Sequence, residues 1–141
     1  MTNEKLAPRL EDYLETIYLL EKKNGVARVK EIANERSVKM PTVTDVLRRL
    51  SERGYILYEP YGYVRTTEKG REYAENLYKK HEVLKDFMKT VLQLSPEIAE
   101  KEGCLMEHHL SKETVKKIQK LVDFFREKGL SEEFKEFLWK G

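Results

Sequence analysis

A single cysteine, Cys104, stands among 141 residues, so no disulfide closes within the chain and the fold must rest on its core. Such usage fits a reducing cytoplasm. No run approaches the roughly 18 apolar residues of a membrane span, and no signal-peptide apolar region follows Met1. The expectation is therefore a cytoplasmic protein with no membrane partner. Charge of one sign is lacking too: 27 Lys and Arg face 25 Asp and Glu, for a net charge of +2, which argues only weakly for nucleic acid. There is no internal repeat and no low-complexity tract. His-Glu-x-x-His, a Gly-rich phosphate loop and Gly-x-Ser-x-Gly are all missing, and nothing pairs a nucleophile with a base and an orienting group. That pattern speaks against an enzyme and against a small organic substrate.

What is present is a soluble, globular composition, 40% hydrophobic and 37% charged, over a length that suits one ordinary domain or two small ones sharing a helix. Basic residues gather locally: Val26 to Gly54 holds seven Lys or Arg against four Asp or Glu. Over residues 7–22, Leu10, Tyr13, Leu14, Ile17, Tyr18 and Leu20 form a helical stripe, ended by Asn24-Gly25. A short helix over about 29–35 follows, then one over about 41–53 with Pro41 in its first turn and Val43, Val46, Leu47 and Leu50 buried. Aromatic-rich, β-prone runs on either side of Pro60 and Gly62 predict a hairpin. Three helices and a two-stranded wing make a winged helix-turn-helix, assigned to residues 1–72.

Thr67 is the expected N-cap of a long helix over about 67–92 that links this domain to a second one, residues 73–141. Ser95-Pro96-Glu97 starts a helix reaching about His109, Ser111 caps another over 112–127, and a short last helix follows Ser131. The fold class is thus mainly α, a winged helix-turn-helix plus an all-helical domain. The second domain has more apolar side chains than so small a unit buries alone, which predicts a two-fold homodimer.

A recognition helix presents small polar and basic side chains near its N-terminus while its other face packs on the core. The 41–53 helix does so. The candidate DNA contacts are Arg28, Lys39, Pro41, Thr42, Thr44, Asp45 and Arg48, with Tyr63 and Arg65 on the wing; Arg49 and Tyr61 lie beside them. Asp45 either accepts from a cytosine amine or orients an arginine. The bland alternative is a solvated polar face.

Within a helix over 97–109, Cys104, Glu107 and His108 fall at i, i+3 and i+4 and share a face. A thiolate, a carboxylate and an imidazole suit a divalent transition metal. Each has a bland reading alone, as a small buried hydrophobe, a surface carboxylate or a core histidine. Asp12 and Glu15 on the first helix and His81 on the long one would complete a set of six donors for Mn(II) or Fe(II). His109 points about 100° away from His108 and is a poorer candidate.

These segments resemble a known family. Leu10-Glu11-Asp12-Tyr13-Leu14-Glu15-Thr16-Ile17-Tyr18 is similar to the opening helix of the diphtheria toxin repressor and manganese transport regulator family. Pro41-Thr42-Val43-Thr44 resembles the start of its recognition helix, Thr66-Thr67-Glu68-Lys69-Gly70 the start of its linking helix, and the run from Cys104 to Ser111 its metal segment. The match is in order along nearly the whole chain. It implies a homodimeric repressor that binds a double-stranded operator when Mn(II) or Fe(II) is bound, with Asp12, Glu15, His81, Cys104, Glu107 and His108 as the primary site. It also implies the short form, without the SH3-like domain of longer iron-responsive members.

Two positions make the ligand set a hybrid. Asp12 is the oxygen ligand of the manganese branch, where the iron branch has methionine, and Cys104 is the soft ligand of the iron branch, where the manganese branch has glutamate. Lys85 and Glu100 stand where the iron branch's ancillary site has a glutamate and a histidine. Mn(II) is expected first and Fe(II) next, with Co, Zn, Ni or Cd able to substitute in vitro. Metal would tie the first helix to the second domain and set the spacing of the two wings. One rival is a metal-independent winged-helix regulator sensing an organic ligand; another is a metal storage or hydrolytic helical protein.

Overall fold

A computed structural model of the chain describes residues 4–59 and 62–141. Pro60 and Tyr61, expected in and beside the wing's turn, lie outside the described residues. The chain divides into two compact units, Met1–Leu77 and Tyr78–Gly141.

In the first unit, α1 (Pro8–Asn24) starts with a proline in its first turn and stops at Gly25, whose φ of 85° is left-handed backbone that a side chain resists. Next come β1 (Ala27–Arg28), α2 (Val29–Arg36), α3 (Met40–Glu52), β2 (Ile56–Tyr58) and β3 (Tyr63–Thr66). The sheet order is β1-β3-β2, antiparallel throughout, with Ala27 opposite Val64 and Leu57 opposite Arg65. The expected two-stranded wing therefore carries a third strand. Two residues are too few for an alternating pattern, so β1 left no signal in the sequence.

The core of this unit joins Leu14 and Ile17 of α1, Ile32 of α2, Val43, Val46, Leu47 and Leu50 of α3, and Ile56 and Val64 of the sheet. Glu21 of α1 accepts hydrogen bonds from both the amide and the hydroxyl of Thr66, which pins β3 to that helix.

The long helix α4 (Glu68–Thr90) begins in the first unit, where the Thr67 hydroxyl accepts from the Gly70 amide as a cap should, and runs into the second. There α5 (Pro96–Met106), α6 (Lys112–Glu127) and α7 (Ser131–Lys140) follow. Ser95 and Ser111 cap α5 and α6 through Ile98 and Thr114 amides. The α5 helix ends earlier than periodicity suggested: residues 107–109 form a turn, and Glu107 is the C-cap with helical dihedrals. Buried Leu84, Met88, Val91, Ala99, Val115 and Val122 are the core of this unit, and Arg126 ties α6 to α4 through Asp86 and Thr90.

Candidate functional site

The second unit gathers donors from two helices. His81 of α4 is buried, and its Nδ1 lies 3.6 Å from Cys104 Sγ and 3.8 Å from Glu107 Oε2. Glu107 Oε1 is 3.7 Å from His108 Nε2. Glu107 and His108 are themselves buried, while Cys104 is half-buried. The turn at 107–109 aims Glu107 and His108 inward and leaves His109 exposed.

Metal–ligand bonds of about 2.0–2.3 Å place neighbouring donors some 3–4 Å apart. Pair by pair, the spacings around His81 and Glu107 fall in that range, and the donor types suit a divalent ion. Burying an imidazole against a carboxylate and a thiol costs free energy that a cation recovers.

A further carboxylate lies on the other side of the His81 ring. Glu100 Oε1 lies 3.1 Å from His81 Nε2, and its other oxygen accepts from Lys85 Nζ at 3.0 Å. Donor atoms of His81, Glu100 and Cys104 all lie within 4.8 Å of one another. Burial pushes the Glu100 carboxyl up, but the Lys85 hydrogen bond and the His81 ring outweigh it, and the net shift is below the ordinary range. The same bond raises Lys85. Sequence reasoning gave Glu100 no part in the primary site. The signal was there, since His81 and Lys85 are one turn apart on α4, and Glu100 and Cys104 one turn apart on α5.

Asp12 and Glu15 belong to the first unit, as neighbours on α1. The Asp12 carboxylate is 3.4 Å from the Arg36 guanidinium of α2, which also lies over the Tyr13 ring at 5.4 Å. Arg36 was not among the expected functional residues; no local spacing links it to α1.

The first unit also displays a basic surface. On α3, Pro41, Thr44, Arg48 and Arg49 are exposed, Thr42 and Asp45 half-buried, and Lys39 sits exposed at the N-cap. Asp45 bonds Arg48 at 2.7 Å and lies 3.4 Å from Arg49. Thr44 donates to the Met40 carbonyl. Arg28 and Tyr63 are opposed across β1 and β3, the guanidinium 5.3 Å from the ring centre, and Arg65 is exposed on the same strand.

Comparison with known proteins agrees with both halves. Residues 5–64 match the iron-dependent repressor N-terminal DNA-binding domain, and residues 67–131 the metal-binding and dimerisation domain of the same repressors. The chain is 36% identical over 124 residues to an uncharacterised HTH-type transcriptional regulator of Methanocaldococcus jannaschii, covering 87% of this chain and 99% of that one. It is 37% identical to the HTH-type transcriptional regulator MntR of Geobacillus kaustophilus, over 85% of this chain and 84% of the relative. The solved structure of the manganese regulator SloR superposes with a TM-score of 0.73 at 28% identity, over 84% of this chain. The chain spans about half the length of that protein, 55%. With both domains matched in order and two relatives above one-third identity matched over most of their length, the chain belongs to the iron-dependent repressor family of metal-dependent transcriptional repressors.

Proposed function

We propose that this protein is a metal-activated repressor of metal-ion uptake and homeostasis genes, responding to Mn(II) and next to Fe(II). The observation that carries the reading is the run of close spacings that links Cys104, His81, Glu107 and His108 inside the helical unit. Asp12 and Glu15 are the carboxylates proposed to complete the site from α1. A bound divalent ion would supply a positive centre for these carboxylate, imidazole and thiolate donors. The protein's own groups do the rest. Arg36 holds Asp12 in place on the first unit, His81 and Glu107 orient the donors of the second, and α4 runs through both.

A second copy of the chain is the proposed partner in assembly. Leu121 and Phe124 of α6 and Phe137, Leu138 and Trp139 of α7 are exposed, an apolar surface that a homodimer would cover. Two wings then meet two half-sites of an operator, through Arg28, Lys39, Pro41, Thr42, Thr44, Asp45, Arg48, Tyr63 and Arg65.

The decisive experiment is DNA binding by fluorescence anisotropy on fragments selected from the source genome, with metal-free protein titrated anaerobically with Mn(II) or Fe(II). A coupling of about 1–3 kcal/mol tightens operator binding by about 5–150-fold. Equal affinity with and without metal sinks the reading. Glu107→Ala abolishes the response here, and would spare it in a regulator that senses an organic ligand.

A further inference from the structure

We propose that Glu100, braced by Lys85, is a positioning residue that selects the tautomer of His81 and leaves Nδ1 as its donor towards Cys104 and Glu107. The proposal rests on the metal-site reading above. A neutral imidazole carries one N–H, and only the other nitrogen has a lone pair to give. His81 meets a carboxylate at each nitrogen: Glu100 Oε1 at 3.1 Å from Nε2 and Glu107 Oε2 at 3.8 Å from Nδ1. Only the first lies within hydrogen-bond distance. Glu100 therefore takes the hydrogen on Nε2, and Nδ1 faces Cys104 Sγ and Glu107 with its lone pair outward.

Glu100 is about half-exposed, and on its own would turn into solvent. Lys85 prevents this by donating to the second oxygen at 3.0 Å. That ammonium also offsets the carboxylate's charge with a cation of the chain itself. The backbone makes the meeting of the two helices possible. At Gly103 a Cβ would lie 3.5 Å from the Lys85 amide nitrogen and 3.7 Å from the His81 ring, so α5 passes close against α4 at the level of these side chains.

Side-chain 15N NMR of His81 in the metal-free protein reads the tautomer directly. The wild type is expected as the Nε2–H form. Glu100→Ala populates the Nδ1–H form, and so does Glu100→Gln, whose single carbonyl is taken by the Lys85 ammonium so that its amide NH2 faces Nε2. Titration with Co(II) as the probe, followed by its absorption, should show Kd raised about 10–100-fold in both variants. Lys85→Met is expected to fall between wild type and Glu100→Ala; no change there would remove Lys85 from the relay. An unaltered tautomer and unaltered Co(II) affinity in Glu100→Ala would overturn the proposal. Wild-type protein that takes up no Co(II) would count against the metal site instead, with the tautomer still deciding the role of Glu100.

Discussion

Gly70 shows how much one missing methyl group decides. A Cβ there would lie 1.9 Å from the Tyr55 carbonyl oxygen, a backbone atom that cannot swing aside. The first turn of α4 thus lies directly on the chain end that follows α3, where Thr67 also donates to that carbonyl. Gly70→Ala gains helix propensity but forces the two segments apart, and is expected to destabilise the first unit by about 2 kcal/mol. The check is the urea midpoint, which should fall at unchanged slope. Residue by residue, the candidates Cys104, Glu107 and His108 stood out by their short spacing, although the helix expected to carry all three stops at Met106. The Arg36–Asp12 pair was not, because it joins α2 to α1 across the interior of a fold.

The α3 helix illustrates what amphipathic spacing conveys at the scale of an element. Val43, Val46, Leu47 and Leu50 are fully buried, and the opposite face carries the polar and basic residues, as the 3.6-residue period requires. Its charges are less free than the sequence suggests, since Asp45 engages both Arg48 and Arg49. Arg48→Ala should weaken binding to any DNA duplex about equally and lower the slope of log K against log salt by about one. A loss confined to particular sequences would instead make Arg48 a base reader. Elements without periodicity escaped. The β1 strand exists because β3 offers it an edge, and α5 ends at Met106, where a turn buries Glu107 and His108.

Across the molecule, the first unit contains a polar network whose response to pH can be read separately from metal. Tyr73 donates to the buried Glu11 carboxylate and accepts from the Leu6 amide; burial, and then the bond to Glu11, push its hydroxyl far above the ordinary value of 10.0. Tyr55 is raised as well, by burial and by the nearby Glu4 charge. Below the ordinary tyrosine range both hydroxyls are protonated in the folded and the unfolded chain, so their contribution is constant. Above it the unfolded chain ionises first, and stability is lost as pH climbs towards the folded values. The urea midpoint should therefore drop between about pH 9 and about pH 11, with part of that drop absent in Tyr73→Phe. An identical drop in Tyr73→Phe would assign the effect elsewhere.

The sequence by itself determined the order and type of nearly every helix, the amphipathic face of α3, the family, and the candidate donors near residue 104. Those features depend on side chains a few positions apart, and the period of a helix or strand turns such spacing directly into geometry. Only the tertiary structure decided that His81 reaches Cys104 and Glu107, that Glu100 and Lys85 stand behind it, and that Arg36 holds Asp12. Each of those meetings joins separate elements, and is set by how helices pack against each other rather than by the period of any one.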